Sequence, residues 1–338
     1  MIKLISDIVR DLSRETKTPM FRRSPIRHLL YRLAWHLRPY FQNAGSHPLA
    51  VDIEFKSACN FKCVFCQQST YEKHTKDWSN IDWGLLKRSV DELVEAGVYS
   101  AKVNWRGEST LDPEVAEKIK YMKDAGLHEV IMNTNASKLT PELSVKLVEA
   151  GLDRIIFSCD GLSKETYDML RRGGKFEVFE RNVREFRRIR DNLGSKTPVI
   201  RINAAIMAQN KHEIPHFREF FRDIAEEFRF NTVYQPTGAN GGLNDGAHRT
   251  THHKGCTQIY QRMIIDLNGD VVNCCANWQK RAPAGNILRE GLLDLWGRKS
   301  EGLRYTHEKH MARKLDMCKD CDLFSLSERN DSGKVIWN

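Results

Sequence analysis

Between residues 48 and 235, six β-rich runs alternate with six amphipathic helical patterns, and this alternation constrains the fold more than any other feature. The β-rich runs lie at 51–55, 101–105, 129–133, 154–159, 199–206 and 230–234. The helical patterns fall near 83–96, 113–125, 140–150, 163–171, 175–192 and 211–227. Strand–helix–strand repeats predict a parallel sheet covered by helices. Six units are too few to close an eight-fold barrel, so the expected fold is α/β, a partial (β/α)6 TIM-like barrel. In such sheets the chemistry sits on loops at the carboxyl ends of the strands.

Composition narrows the class further. The 338 residues are 41% hydrophobic and 29% charged, which excludes a mainly disordered chain and suffices for a sizeable core. No stretch reaches the roughly 18 apolar residues of a membrane span. Asp7 and Asp11 interrupt the first apolar run, so no secretory signal is expected and the expected location is cytoplasmic. The net charge is +9, but residues 1–50 hold nine Lys or Arg against three Asp or Glu. The excess belongs mainly to one segment, so no nucleic-acid partner is expected. In that segment Leu4, Ile8 and Leu12, then Leu29, Leu30, Leu33 and Trp35, recur at helical spacing among Arg22, Arg23, Arg27, Arg32 and Arg38. Residues 1–47 therefore read as a basic amphipathic helical extension. Its expected role is a strap packed on the barrel by Leu29, Leu33 and Trp35; the other reading is contact with a membrane surface through residues 1–40.

Nine cysteines in a reducing compartment should be metal ligands, catalytic groups or buried hydrophobes. Cys59, Cys63 and Cys66 form the run CNFKCVFC directly after the first β-rich run. Thiolates select iron–sulfur clusters or zinc, and three ligands rather than four leave a position open. A zinc site with a distant fourth ligand is the competing reading. A second group contains Cys256, Cys274, Cys275, Cys318 and Cys321. Asn268-Gly269 between two β-rich runs signals a hairpin, which can carry Cys256 and Cys274 towards the terminal C-x-x-C at Cys318 and Cys321. On an extended strand Cys274 and Cys275 cannot aim at one centre. By the same alternation Cys159 lies opposite Ser158 and Asp160, and is expected to be structural.

C-x3-C-x-aromatic-C after the first strand of a βα repeat resembles the signature of the radical S-adenosylmethionine (radical SAM) superfamily. The resemblance implies a 4Fe–4S cluster on Cys59, Cys63 and Cys66, with its fourth iron chelated by the amine and carboxylate of SAM. It implies reductive cleavage of SAM to a 5′-deoxyadenosyl radical that abstracts a substrate hydrogen. Phe65 matches the aromatic position near the adenine. Arg106-Gly107-Glu108 resembles the glycine–glycine–glutamate motif that receives the methionine amine, with Arg106 in place of the first glycine. Asn133-Thr134-Asn135 resembles the polar end of the third strand. Ser158, Cys159, Asp160 and Gly161, followed by Arg171, resemble the fourth-strand motif, whose Ser and Arg can bind the SAM carboxylate. Asn203 on the fifth strand can reach the ribose or carboxylate, and Asn210 and Glu213 match the start of the next helix.

The text NGDVVNCC, then Gly285-Asn286-Ile287, Trp296 and the terminal C-x-x-C, resembles the SPASM/twitch extension of these enzymes. It implies one auxiliary 4Fe–4S cluster on Cys256, Cys274, Cys318 and Cys321. Cys275 is then either a small buried thiol or a catalytic hydrogen-atom donor to a substrate radical. The expected organisation is the helical extension at 1–47, the barrel at 48–235, and a Gly-rich connecting loop at 236–255. A small β-hairpin/helix twitch module follows at 256–325, then a tail at 326–338. The resemblance implies dehydrogenation or epimerisation of a small polar substrate (a sugar, amino sugar or cyclitol), with an electron donor such as flavodoxin or ferredoxin. Asp245, His248, His252 and His253 in the connecting loop are candidate bases. A peptide- or protein-modifying enzyme is the alternative, and a non-catalytic zinc-binding regulatory or adaptor protein is the reading from another class.

Overall fold

The crossover helices begin on residues whose side chains accept hydrogen bonds from the unsatisfied amides of the first turn. Asp82 caps Trp83–Glu95, Thr140 caps Pro141–Glu149 and Ser163 caps Lys164–Leu170. Past the helix Val115–Asp124, Gly126 takes a left-handed φ of +107°, a turn that costs glycine little, and the chain enters the next strand. The computed structural model describes residues 2–70, 78–232 and 256–309, except 273, 276 and 279–282, together with 311, 314, 315 and 318.

These local signals deliver six parallel strands: β1 (Ala50–Ile53), β2 (Ser100–Lys102), β3 (Glu129–Thr134), β4 (Arg154–Ser158), β5 (Val199–Ile206) and β6 (Glu227–Thr232). They pair in chain order, as a partial (β/α)6 barrel requires. Alternation sorts the side chains. Val51, Ile53, Ala101, Val103, Val130, Met132, Ile155, Phe157, Ile200 and Ile202 pack into the core beneath the helices. Burial of each Val, Ile, Met or Phe among them contributes about 1.5–3 kcal/mol. Cys159 belongs to this core and donates to the Gly161 carbonyl at 3.1 Å, as expected of a structural thiol. The opposite parity puts Asp52, Lys102, Asn133, Arg154, Ser158, Arg201, Asn203, Glu227 and Arg229 on the concave side.

The sixth unit departs from the sequence reading. The helix expected at 211–227 shrinks to a 3-10 turn at Ile214–His216 and one turn at Phe217–Phe220, and the strand starts at Glu227 rather than 230. Long-range pairing overrides the local pattern. Glu227 accepts from Arg201 at 2.5 Å and also pairs with Arg154, while Phe230 packs edge-on against Phe217.

The hairpin of the carboxyl-terminal part is joined to the barrel sheet. β7 (Arg262–Ile265) pairs in parallel with β1, from Ala50↔Arg262 to Ile53↔Ile265. β8 (Asp270–Val272) and β9 (Gly285–Asn286) continue the sheet antiparallel. At the turn, Asp266 Oδ1 accepts from the amides of Asn268 and Asp270, and Gly269 adopts φ +82°. The connecting loop 236–255 and Cys321 lie outside the described residues, and with them Asp245, His248, His252 and His253.

The N-terminal segment folds as α1 (Ile2–Glu15), α2 (Pro19–Arg23) and α3 (Pro25–Tyr40). It is a strap, but not through the leucines. Leu29 and Leu30 are exposed, and the contacts to the barrel come from Met20, His28 and Tyr31 together with Trp35, which packs beside Tyr31 and under Arg262. Tyr31 stacks on Tyr99, with ring centroids 4.0 Å apart, and His28 Nδ1 lies 2.7 Å from the Tyr99 hydroxyl. Aromatic rings win these positions because the strand-entry residue beneath them is itself aromatic. Nor do all the arginines face water: Arg23 pairs with buried Asp153 at 2.8 Å, and Arg32 with Asp11 at 2.6 Å. Glu15 and His28 meet Arg154 and Glu129 at the amino end of the strands, so the strap closes that end of the barrel. Its outer face keeps Ile5, Val9, Ile26 and Leu30 exposed. No helix among the described residues is long and apolar enough to cross a membrane.

Candidate active site

The loop after β1 carries Cys59, Cys63 and Cys66 and is pinned from both sides. Lys62 and Val64 donate backbone hydrogen bonds to Arg172 and Leu170, at 2.7 and 3.0 Å. On the other side the Glu108 amide donates to the Ala58 carbonyl. Only glycine fits between: a Cβ on Gly107 would strike the carbonyls of Lys56 and Ala58. Burial pushes the thiols of Cys59 and Cys63 up to about 12 and raises Cys66. Glu108 adds to the shift of Cys59, as do Cys63 and Cys66, so the three sulfurs lie within electrostatic reach of one another. Without metal both Cys59 and Cys63 keep their protons at neutral pH and release them as metal binds.

The polar ends of the neighbouring strands converge on this loop. Glu108 Oε1 accepts from the Thr110 amide and hydroxyl and from the Thr134 hydroxyl, and Oε2 accepts from the Asn135 amide at 2.7 Å. Asn135 Nδ2 reaches Asn60 Oδ1 at 3.0 Å and lies 3.9 Å from Cys59 Sγ. Asp160 accepts from Arg171 Nε and from the Ala205 amide, both at 2.6 Å. That carboxylate aims the Arg171 guanidinium, which lies 5.9 Å from the Phe65 ring centroid and acts electrostatically on Cys63. Arg106 points elsewhere. It makes a buried bidentate pair with Glu54 at 2.5 and 2.7 Å and stacks 4.4 Å over the Trp105 ring. Its side chain braces β1 to the β2 loop, and this explains how arginine replaces a small residue there.

At the second cysteine group, Cys256 and Cys318 are buried together with Ile259, Tyr260 and Leu303. His307 lies between them. Its Nδ1 accepts from the Cys256 amide at 3.3 Å, which leaves the proton on Nε2, 3.7 Å from Cys318 Sγ. Burial holds His307 down to about 4, so it is a neutral hydrogen-bond donor to that sulfur. Nothing in the spacing around His307 singled it out from sequence. Cys274 and Cys275 also differ from the strand reading, because β8 ends at Val272 and Cys275 enters a turn. The indoles of Trp105 and Trp278 both donate to the Cys275 carbonyl, at 2.9 and 3.0 Å. The Cys275 side chain packs with Trp105, Ile264 and Val272 on the concave side. A hydrogen bond with Cys274, opposed by burial and aided by Arg262 and Lys102, holds Cys275 at about 7. A metal on Cys274 removes that hydrogen bond.

Two family models match the chain. The radical SAM superfamily covers residues 53–220, and the SPASM iron–sulfur cluster-binding domain covers residues 256–322. This chain is a radical SAM enzyme with a C-terminal SPASM module. Among curated proteins it is similar to the AdoMet-dependent heme synthase of Methanosarcina barkeri, 30% identical over 196 residues, 56% of this chain and 52% of that protein. It is also similar to the mycofactocin maturase MftC of Mycolicibacterium smegmatis, 24% identical over 324 residues, covering 84% of this chain and 78% of that one. The match to the heme synthase thus spans only about half of that relative's length. The fold is shared with SuiB of Streptococcus suis bound to precursor peptide SuiA, at TM-score 0.64 and 18% identity over 89% of this chain and 76% of that one.

The residues of this radical SAM enzyme fit the family's cofactors, which are SAM, a 4Fe–4S cluster at the radical site and an auxiliary cluster. Among the described residues no three His, Cys, Asp or Glu side chains converge on a single-ion position. On the concave side, Asn133 Oδ1 and Asn203 Oδ1 are buried without a hydrogen-bond partner among the described residues. Such orphaned acceptors are costly unless a ligand supplies donors, as an adenosine or an amino acid would. The sequence marks Asn203 as a candidate and Asn133 only as part of its strand end. Ser158 lies level with Asn203 in the β4–β5 register.

Proposed function

We propose that the enzyme epimerises a small polar substrate, a sugar, amino sugar or cyclitol, with Cys275 as the residue that returns hydrogen. The observation that carries this reading is the placement of the Cys275 side chain on the concave side, within electrostatic reach of Asp52, Lys102 and Arg262. Bound on Cys59, Cys63 and Cys66, the cluster and SAM would supply the 5′-deoxyadenosyl radical that takes a substrate hydrogen. Glu108 and Arg171 would hold the amino and carboxylate groups of SAM, with Asn133, Ser158 and Asn203 nearby as further polar contacts. Asp52 and Lys102, 2.9 Å apart, would orient substrate hydroxyls. Cys275 would then give its hydrogen to the opposite face of the substrate carbon, and one electron and one proton restore its thiol. The electron would come from a carrier such as flavodoxin or ferredoxin.

The test is turnover in deuterated water with candidate sugars and cyclitols. Epimerisation places one solvent deuterium at the inverted carbon, and Cys275→Ala should form 5′-deoxyadenosine yet release at least about 100-fold less inverted product. Loss of two mass units from the substrate, with Cys275→Ala fully active, would establish dehydrogenation instead. A second reading, peptide modification, draws on the match to the mycofactocin maturase across 84% of the chain.

A further inference from the structure

Arg229 has no ion-pair partner among the described residues. The register pairs it with Asn203, one step beyond the Arg201↔Glu227 pair, and this parity places it on the concave side. It cannot turn outward, because Phe228 and Phe230 on either side pack against the core and Arg218 lies over both rings. The surrounding charges are already matched. Asp52 pairs with Lys102 at 2.9 Å and Arg262 at 3.5 Å, and Glu227 pairs with Arg201 and Arg154. Arg229 is left facing Arg201, Arg32 and Arg262, and burial together with these cations lowers its pKa to about 10. Its side chain is nonetheless exposed to water. The one carboxylate that acts on it, Glu227, already pairs with Arg154 and Arg201, so four arginines here outnumber the carboxylate they share and leave an excess of positive charge.

We infer that Arg229, with Arg262 beside it, receives an oxyanion of the substrate, a phosphate or a carboxylate. Guanidinium groups match both anions through two parallel hydrogen bonds. Arg262 begins β7, whose Ile264 packs with Cys275, so an anion held there lies on the same face of the sheet as the hydrogen-returning thiol. This deepens the reading above and rests on the concave side being the substrate site. The substrate class becomes a sugar or cyclitol that carries a phosphate or an acid group.

The test titrates the anaerobically reconstituted full chain with inorganic phosphate and, separately, with malonate, by calorimetry. Wild type should bind one of them saturably, and the tighter one identifies the group. Arg229→Gln should weaken that binding at least about tenfold, the loss expected for one charge-assisted contact. Arg229→Lys should stay within about threefold of wild type, and Arg222→Gln, on an exposed residue, should match it. SAM binding measured on the same samples should be unchanged in all variants, so a folding failure is visible. No saturable binding of either anion by wild type, or equal binding by Arg229→Gln, would overturn the inference. Either outcome leaves the Cys275 exchange experiment to judge epimerisation separately.

Discussion

Cys63→Ala should lower the iron of the reconstituted enzyme from about eight to about four atoms per chain and abolish formation of 5′-deoxyadenosine. Cys63 is buried between Asp160, Arg171 and Cys66, on a loop fixed by backbone hydrogen bonds to Arg172 and Leu170. No other described thiol can replace it: Cys159 points into the core and donates to Gly161. The auxiliary cysteines belong to another part of the sheet, so their iron should persist. Cys159→Ala is the matched control, expected to cost about 1–2 kcal/mol of stability while retaining all the iron. If Cys63→Ala kept full iron and SAM cleavage, the assignment of the first cluster would be wrong.

Arg154→Met should be the most damaging change away from the cysteines. Arg154 is buried at the closed end of the barrel, with Glu129 at 3.2 Å, Glu15 of α1 at 3.5 Å and Glu227 in direct contact. Removing Arg154 takes away the cation that all three carboxylates share, leaving Glu15 to His28, Glu227 to Arg201 and Glu129 with no ion pair among the described residues. Breaking a buried pair in this way costs about 3–5 kcal/mol, which lowers Tm by roughly 5–10 °C. The pH dependence has a definite sign. Burial alone would raise Glu15 and Glu227, but the hydrogen bond from His28 to Glu15 and the charge of Arg154 on both outweigh it and lower them. Carboxylates lowered in the folded state contribute stability above their ordinary value of 4.5 and lose that contribution as pH falls. The gap in Tm between wild type and Arg154→Met should therefore narrow below about pH 4.5. An unchanged Tm at pH 7 would mean that the strap is held by its aromatic contacts alone.

The sequence carried the local parts of this structure well. The cysteine loop was legible because its spacing and its place after β1 lie within a few residues. Five of the six barrel strands were legible because alternation and helix caps are short-range signals. What failed was set at long range. Glu227 reads as the end of a helix, and only Arg154 and Arg201, distant in the chain, draw it into β6. Arg106 matched a cofactor motif by position, yet Glu54, 52 residues away, claims its side chain. Of the expected strap contacts Leu29, Leu33 and Trp35, Trp35 does pack on the barrel, but Leu29 is exposed, and Tyr99 and the charged strand ends select Tyr31, His28 and Glu15. The β1–β7 pairing and the place of His307 between Cys256 and Cys318 leave no local trace at all.

The most direct measurement is metal content and SAM cleavage on one anaerobic preparation reconstituted with iron and sulfide. A radical SAM enzyme built as described should contain about eight iron atoms per chain, show cluster absorbance, and convert SAM to 5′-deoxyadenosine and methionine on reduction. Stoichiometric zinc, no cluster absorbance and intact SAM after reduction would contradict it.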